Sequence, residues 1–200
     1  MIVSTNPQNS EEWYQERTGL LTSSNAKRII TSKGIRSKSY NDYVYVIAEE
    51  RITGKRVDSY YNKDMENGHI MENAGCEFFE CSENVTIEKV GLCYYDEKKE
   101  FGGSPDGLIN DDDGFENKNA SVRVQLKRLE DGWTGSEHYV QNQMNMLVTD
   151  RKRWFLQSYC EGLQNIVIEV MRDEEFLKKL RIEIKLFNQD VQNKIDKYSI

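Results

Sequence analysis

Two acidic side chains and one lysine are spaced so that a single β-hairpin could bring them together. Asp106 comes before a stretch, residues 110–114, with the composition of a tight turn, and Glu116 and Lys118 come directly after it. Because side chains alternate faces along a strand, Glu116 and Lys118 point to one side, which Asp106 can reach from the partner strand. A core avoids such unpaired charges, whereas a divalent cation would stabilise them.

Carboxylate oxygens beside a lysine are suited to one kind of hydrolysis. Mg²⁺ takes hard oxygen ligands and typically uses one or two carboxylates together with a substrate phosphate. Such an ion activates water and neutralises charge on a phosphodiester, while Lys118 can orient or help to deprotonate the attacking water. The pattern therefore suggests metal-assisted phosphodiester hydrolysis. The alternative is an ordinary hairpin with an exposed Glu–Lys pair of little energetic weight.

The elements around this hairpin alternate in type, which favours an α/β fold with mixed strands flanked by helices. Capping residues 22–25 predict a helix start before Ala26. Periodicity predicts further helices over 40–51, 68–81, 136–148 and 177–195, and β-rich runs predict strands over 85–87, 92–95, 101–109, 115–119, 154–159 and 166–171.

Length and composition fit one domain covering residues 1–200. The chain has 200 residues, a mass of 23.4 kDa and 38% hydrophobic residues. It has no apolar run long enough to span a bilayer and no signal-peptide pattern at residues 1–10. We therefore expect a cytoplasmic protein that does not bind a membrane. The four cysteines lack the spacing of a zinc site, and reduced thiols are favoured over an iron–sulfur cluster.

Acidic residues are concentrated in the middle of the chain. The net charge is −7, and residues 39–120 hold 8 basic and 19 acidic side chains. Residues 1–38 hold 6 basic and 3 acidic side chains, and residues 121–160 hold 6 and 4. A groove drawn from these two basic segments could bind a polyanion, although solvated charged faces would give the same counts.

Five separated blocks resemble the phage lambda exonuclease family of viral recombination nucleases, a branch of the PD-(D/E)xK superfamily. They follow the order that the family uses, from about residue 13 to residue 160. The blocks are WYQERTG with LTSS (13–19, 21–24), GHIMENA (68–74), GSPDGL (103–108), ENK (116–118) and HYVQNQM (138–144). The resemblance implies a restriction-endonuclease-like core with a central mixed sheet.

The resemblance also implies a role for each residue of a metal site. Asp106 and Glu116 would bind Mg²⁺, with the backbone carbonyl of Asn117 as a further ligand. Lys118 would act on the nucleophilic water. Glu72 would complete the acidic cluster, either toward a second ion or through water.

Three further residues are assigned by the same resemblance. Arg17 and Ser24 would form the pocket for a terminal 5′-phosphate, and a guanidinium beside a helix N-terminus is a suitable anion site. Gln141 would lie over the active site and position the water or the scissile phosphate. The ordinary alternatives are a surface ion pair of Arg17, a helix cap by Ser24 and a polar helix face for Gln141.

The implied function is a 5′-to-3′ exodeoxyribonuclease that resects linear double-stranded DNA and leaves a 3′ overhang for recombination. Its cofactor would be Mg²⁺ or Mn²⁺, with two ions per active site. Its partners would be double-stranded DNA ends, two further copies in a ring-shaped homotrimer, and a single-strand annealing protein. A structure-specific or restriction-like endonuclease, and a weakly catalytic DNA-end-binding accessory protein, are the alternatives.

The sequence departs from the family pattern in two places. Asn117 is polar where the family has an apolar residue, which predicts different packing behind the site. Residues 120–135, with Lys127, Arg128 and Trp133, have no counterpart and could form a DNA-facing loop. Trp13 is expected in the core, and His138 is expected to be structural because Mg²⁺ prefers oxygen.

Overall fold

Helices and strands are mixed along the chain, as predicted for an α/β fold. A computed structural model describes the backbone of residues 1–57 and 63–198, and the side chains of residues 1–57 and 73–198. The strands are β1 (Ile2–Val3), β2 (Leu21–Thr22), β3 (Cys93–Tyr94), β4 (Phe101–Gly103), β5 (Gly107–Ile109), β6 (Asp113–Asn119), β7 (Arg153–Tyr159) and β8 (Ile166–Met171). The helices are α1 (Glu11–Glu16), α2 (Tyr40–Thr53), α3 (Lys63–Glu83), α4 (Val122–Asp131), α5 (Tyr139–Thr149) and α6 (Glu174–Tyr198). Short 3₁₀ helices cover Ser23–Arg28 and Ser136–His138.

The strands form two four-stranded mixed sheets. The first has the order β1-β3-β4-β2, in which β2 runs parallel to β4. The second has the order β5-β6-β7-β8, in which β6 is antiparallel to β5 and parallel to β7. Glu116 is opposite Leu156 in the parallel pair. Strand β6, which carries Glu116 and Lys118, is therefore paired with β7 along its whole length and with β5 only over residues 113–115.

The single strand predicted over 101–109 is wrong, because the chain changes sheets in its middle. β4 ends at Gly103 and β5 begins at Gly107, and each pairs with a different sheet. Pro105 has no N–H to donate to a ladder, which explains why pairing stops here. The hairpin predicted over 101–119 is consequently restricted to β5 and β6. Asp106 lies in the short connection between the two sheets.

Helix α5 packs between the main core and the second sheet. Its apolar residues Val140, Met144, Leu147 and Val148 join a cluster with α2 and α6, whereas Met146 packs with Leu108 and Trp154. The remaining side chains of α5 include several buried carboxamides. Burial of amides without partners is costly, and Gln143 and Asn145 donate to groups of β8 and β6, whereas Asn142 has no hydrogen-bond partner among the described residues.

Other local predictions differ in detail. The strand predicted at 85–87 is wrong, because these residues form no strand, and Glu88 directly after them makes an isolated bridge with Leu108. The segment without a counterpart, 120–135, contains helix α4. The four cysteines are free thiols. Within the described residues, no helix is long and apolar enough to cross a bilayer.

Candidate active site

Asp106 binds the open edge of β6 just before β5 begins. Strand β5 begins at Gly107, opposite Phe115. The next backbone N–H on this edge belongs to Asn117, and it donates to Oδ2 of Asp106 at 2.6 Å. The N–H and C=O of a strand residue point to the same edge, so the carbonyl of Asn117 also lies on the edge that β5 leaves open.

Glu116 is buried but fully hydrogen-bonded. Only 3% of the surface of this residue is exposed to solvent. Lys118 Nζ and Gln141 Nε2 donate to Oε1 at 2.7 and 2.6 Å, and Asn145 Nδ2 donates to Oε2 at 3.2 Å. Lys118 also donates to Oε1 of Gln141 at 3.3 Å. Strand β6 and helix α5 thus hold this carboxylate and this ammonium in one network.

The residues present fit a hard cation. Two carboxylates and one strand carbonyl form an oxygen donor set of the type that Mg²⁺ and Mn²⁺ bind. Asp106 accepts from the residue that follows Glu116, which brings both carboxylates to the same end of β6. Three donors now hold Glu116, and a cation would compete with Lys118 for its oxygens.

Glu72 lies outside the residues whose side chains the structure describes. Its backbone belongs to α3, which packs against β6. Among the described side chains, no three His, Cys, Asp or Glu residues converge as a metal cluster. The role given to Glu72 therefore stays a prediction.

The side chain of Asn117 points away from Glu116 and packs under α3. Its Oδ1 accepts from Gln157 Nε2 at 3.0 Å, and its Nδ2 donates to Asn119 at 2.9 Å. The same Gln157 amide donates to the backbone carbonyl of Gly75 in α3 at 2.8 Å. A side chain at Gly75 would come within 2.6 Å of Asn117. Packing behind the site is therefore polar, as the departure from the family pattern predicts.

Arg17 forms a second polar centre, beside α1. Its Nη1 donates to Oγ of Ser104 at 3.2 Å and its Nη2 lies 3.5 Å from Oγ of Ser24. The guanidinium lies 4.3 Å from the ring centroid of Trp13, whose indole N–H donates to the same Ser104 oxygen at 3.0 Å. Trp13 is buried with Leu20 in a small apolar cluster, so its predicted place in the core is confirmed.

The positive charge of Arg17 lies in an unfavourable environment. Burial, and secondly the charge of Arg56, lower the pKa of the Arg17 guanidinium to about 10. Among the described residues Arg17 forms no ion pair with Glu16 or Asp42, the two partners that the sequence offers, and Glu16 accepts from Ser4. Ser24 is the second residue of its 3₁₀ helix and does not act as its cap. The structure thus brings Arg17 and Ser24 together.

His138 belongs to the basic segment 121–160 and lies near several cationic side chains. Burial, and then the positive charge of Lys118, lower the pKa of its imidazole to about 4, and Arg128 and Lys27 add smaller effects in the same direction. Its Nε2 is 3.6 Å from the carboxylate of Glu137. A neutral histidine among cations supports the structural role predicted for it.

Two residues of these networks were missed from sequence. Asn145 lies four residues after Gln141, and this spacing on a helix predicts one shared face. That signal was available. Ser104 joins Arg17 and Trp13, and its role depends on the approach of α1 to the connection after β4, which no local pattern shows.

Comparisons with known proteins agree with this architecture. The chain is similar to the alkaline exonuclease LHK-Exo from Laribacter hongkongensis, with 23% identity and a TM-score of 0.82 over 94% of this chain and 95% of that one. The same enzyme in complex with dAMP gives 24% identity and a TM-score of 0.83, with the same coverage. A phage-related exonuclease from Haemophilus somnus 129PT gives 12% identity and a TM-score of 0.68 over 90% of this chain and 96% of that one. Curated protein sequences give no match.

These likenesses confirm the predicted α/β fold, which the chain shares with these structures. The sequence comparison is more specific than the fold. A profile of the YqaJ-like viral recombinase domain matches residues 12–152, which include every site residue assigned from sequence. This match confirms the resemblance to lambda exonuclease-like nucleases. The chain therefore belongs to the YqaJ-like viral recombinase family.

Proposed function

We propose that the protein is a Mg²⁺-dependent exodeoxyribonuclease that degrades linear double-stranded DNA from its 5′ ends and leaves 3′ overhangs. Mn²⁺ would substitute for Mg²⁺, and two ions per site would suit a symmetric clamp on the attacking and leaving oxygens. The family and the exonucleases of similar fold support nuclease activity on DNA. The direction of digestion and the ions are those that the family resemblance implies, and the two polar centres described above are consistent with both.

One observation carries this proposal: the pocket and the carboxylate site share one short segment. Ser104 accepts from Arg17, and Asp106, two residues later, lies against the end of β6. Pro105 between them restricts the backbone. A 5′-phosphate held at Arg17 would therefore lie at a fixed, short distance from the carboxylates. This fixed distance would favour hydrolysis of a phosphodiester bond near the 5′ terminus over hydrolysis of phosphodiester bonds inside a duplex.

The residues of the chain divide the work as follows. Asp106, Glu116 and the Asn117 carbonyl would hold the ions, which supply charge neutralisation and an activated water when bound. Lys118 would leave its ion pair with Glu116 and orient the attacking water. Gln141 donates to Glu116 and accepts from Lys118, so it fixes both groups.

The products follow from the bond that breaks. Water oxygen bonds to phosphorus, the P–O3′ bond breaks, and the 3′ oxygen of the released nucleotide takes a proton. The shortened strand then carries a new 5′-phosphate. The next cycle therefore begins with the ligand that the Arg17 pocket would bind.

The test compares linear 5′-phosphorylated duplex DNA with a covalently closed circle, in Mg²⁺ and in EDTA. Wild type and Lys118→Ala are compared, with the duplex labelled at either the 5′ or the 3′ terminus. We expect the linear duplex alone to disappear, early release of the 5′ label as mononucleotide, and retention of the 3′ label on long strands. EDTA and Lys118→Ala should abolish all of these.

Other results would select the alternatives. Cutting of the circle would identify a structure-specific or restriction-like endonuclease. Binding of DNA ends without Mg²⁺-dependent products would identify an accessory protein. Early release of the 3′ label would reverse the proposed direction.

The remaining partners are also proposals. A ring-shaped homotrimer would reconcile the net charge of −7 with DNA binding, because only its inner wall needs to be basic. Molar mass from light scattering tests the trimer. Co-purification with a phage-type single-strand annealing protein tests that partner.

A further inference from the structure

Three arginines line one small polar pocket next to α1. The pocket is bounded by Arg17, Arg28 and Arg56, together with Thr22, Asn25 and Glu50. Arg17 and Arg56 lie against neighbouring aromatic rings, 4.3 Å from the centroid of Trp13 and 5.0 Å from that of Tyr14. Stacking of this kind fixes the planes of guanidinium groups. The two planes are thereby held in place without a carboxylate.

The acidic residue in this pocket offsets the charge of Arg17 only in small part, and its own oxygens accept from the backbone. Glu50 of α2 is buried, and both of its oxygens accept backbone N–H groups. Its Oε2 accepts from Gly19 at 2.8 Å and its Oε1 accepts from Val57 at 3.1 Å. Within the described part of the chain, neither Arg17 nor Arg56 makes an ion pair. The charge of Arg56 also lowers the pKa of Arg17, as two close cations would.

Glu50 joins the two segments that carry these arginines. Gly19 comes two residues after Arg17, and Val57 comes directly after Arg56. The next residue of α2, Arg51, donates through Nε to the carbonyl of Gly19 at 2.8 Å. The last full turn of α2 thus binds both the N–H and the C=O of Gly19. The separation of Arg17 and Arg56 is set by this turn.

We propose that Arg56 is the second guanidinium of the terminal-phosphate site, and that Glu50 is its positioning residue. This inference rests on the proposed function and adds to it a reason for end selectivity. A terminal phosphate monoester carries close to two negative charges at neutral pH, whereas an internal diester carries one. Two guanidiniums that form no ion pair with the acidic residues of the described part of the chain match the charge of the monoester. The pocket would therefore distinguish a phosphorylated 5′ end from an internal phosphate or a 5′-hydroxyl.

The test measures kcat and KM on two linear duplexes that differ only in carrying a 5′-phosphate or a 5′-hydroxyl. The variants are Arg17→Ala, Arg56→Ala, Arg56→Lys and Glu50→Gln. Arg181→Ala is the control, because it removes an exposed arginine of α6 whose partner, Glu174, is 3.8 Å away. Melting temperature is measured for every variant.

Arg56→Ala should lower kcat/KM on the phosphorylated duplex about 10- to 100-fold, through KM, as expected for one lost charge-assisted contact. Its kcat/KM on the hydroxyl duplex should stay within about twofold of wild type. The kcat/KM of Arg56→Lys on the phosphorylated duplex should lie between those of wild type and Arg56→Ala, because lysine keeps the positive charge but lacks the planar guanidinium. Glu50→Gln should also lose discrimination, because its amide cannot accept from both N–H groups. Arg181→Ala should resemble wild type.

A second readout does not require turnover. In EDTA, the dissociation constants of the two duplexes should differ for wild type and converge for Arg56→Ala. If Arg17→Ala loses discrimination and Arg56→Ala keeps it, this inference is wrong and the proposed function stands. Equal losses on both duplexes with a lower melting temperature would make Arg56 structural and also overturn it. If wild type digests both duplexes equally well, the phosphate pocket itself fails, together with the inference.

Discussion

The ammonium of Lys118 lies 2.7 Å from Oε1 of Glu116, two residues earlier on the same strand. The carboxylate is almost fully buried and the lysine is partly exposed. Lys118→Met should therefore have two effects. The rate of the proposed DNA hydrolysis should fall by about 10²- to 10⁴-fold, the range for loss of a positioned acid or base. Stability should fall by about 1–3 kcal/mol, because a buried carboxylate loses a charged donor.

Activity and urea denaturation measure these two effects. Lys152→Met is the matched control, because Lys152 pairs with Asp112 at 2.8 Å where both side chains are exposed. It should change neither activity nor stability measurably. Equal stability losses in both variants would mean that the Lys118–Glu116 pair is no more than a surface ion pair.

Asn145 donates to the second oxygen of Glu116, so this position tests cation binding without catalysis. Asn145→Asp would place two carboxylates in one buried site. Without Mg²⁺, their repulsion should lower the melting temperature by several degrees. Mg²⁺ should raise the melting temperature of Asn145→Asp by more than it raises that of wild type, because a ligand stabilises the folded state that binds it.

Differential scanning fluorimetry with and without Mg²⁺ measures this difference. Asn145→Ala, which only removes a donor, should be destabilised by about 1 kcal/mol and should not gain extra stabilisation from Mg²⁺. The same Mg²⁺ shift in Asn145→Asp and wild type would place the ion away from Glu116.

His138 should make stability depend on pH. Burial and the charge of Lys118 lower its folded-state pKa to about 4, below the ordinary value of about 6.5. The unfolded chain therefore binds a proton first as the pH falls. The contribution of the neutral imidazole is present above about pH 6.5 and is lost between about pH 6.5 and pH 4, up to about 3 kcal/mol.

Urea denaturation at pH 5.0 and pH 7.5 tests this. His138→Gln should lose less stability than wild type on acidification, although carboxylates titrate in both proteins. Identical pH dependence in the two proteins would show that His138 keeps an ordinary pKa.

Gly75 supports the hairpin from behind. A methyl group there would come within 2.6–2.9 Å of the Asn117 side chain, whose position is fixed by Gln157 and Asn119. Gly75→Ala should therefore displace α3 and cost about 1–3 kcal/mol, despite the better helix propensity of alanine. Thermal denaturation measures the loss. Asn117→Ala together with Gly75→Ala should recover most of it, and an unchanged double variant would assign the loss to another contact.

The hairpin was predictable because its determinants are local. Alternation along β6 places Glu116 and Lys118 on one face, and the turn composition brings Asp106 close. The passage of the chain from one sheet to the other at Pro105 was not predicted, since it depends on which strands pair with β4 and which pair with β5. Helix α4 was missed because it docks through a polar residue. Gln125 donates to the backbone carbonyls of Ser158 and Gln164 at 3.2 and 2.7 Å, so α4 lacks a buried apolar stripe.

The site residues likewise divide into those that local patterns predict and those that only long-range packing brings together. Gln141 needed the family pattern to stand out from other polar residues of α5. Arg56 and Glu50 are far apart from Ser104 in sequence, and only the packing of α2 beside α1 brings their segments together. Long-range packing of this kind leaves no periodic signal.

The parallel pairing of β6 with β7 bears on when the protein becomes active during its synthesis. Asp106, Glu116 and Lys118 leave the ribosome early, but a two-stranded hairpin is only marginally stable in water. Strand β6 is completed only by Arg153–Tyr159, and Glu116 is held only once α5 has docked. A translating or truncated chain that stops before residue 159 therefore lacks the assembled candidate site. The order of the elements along the chain would delay the proposed activity until most of the protein has been made.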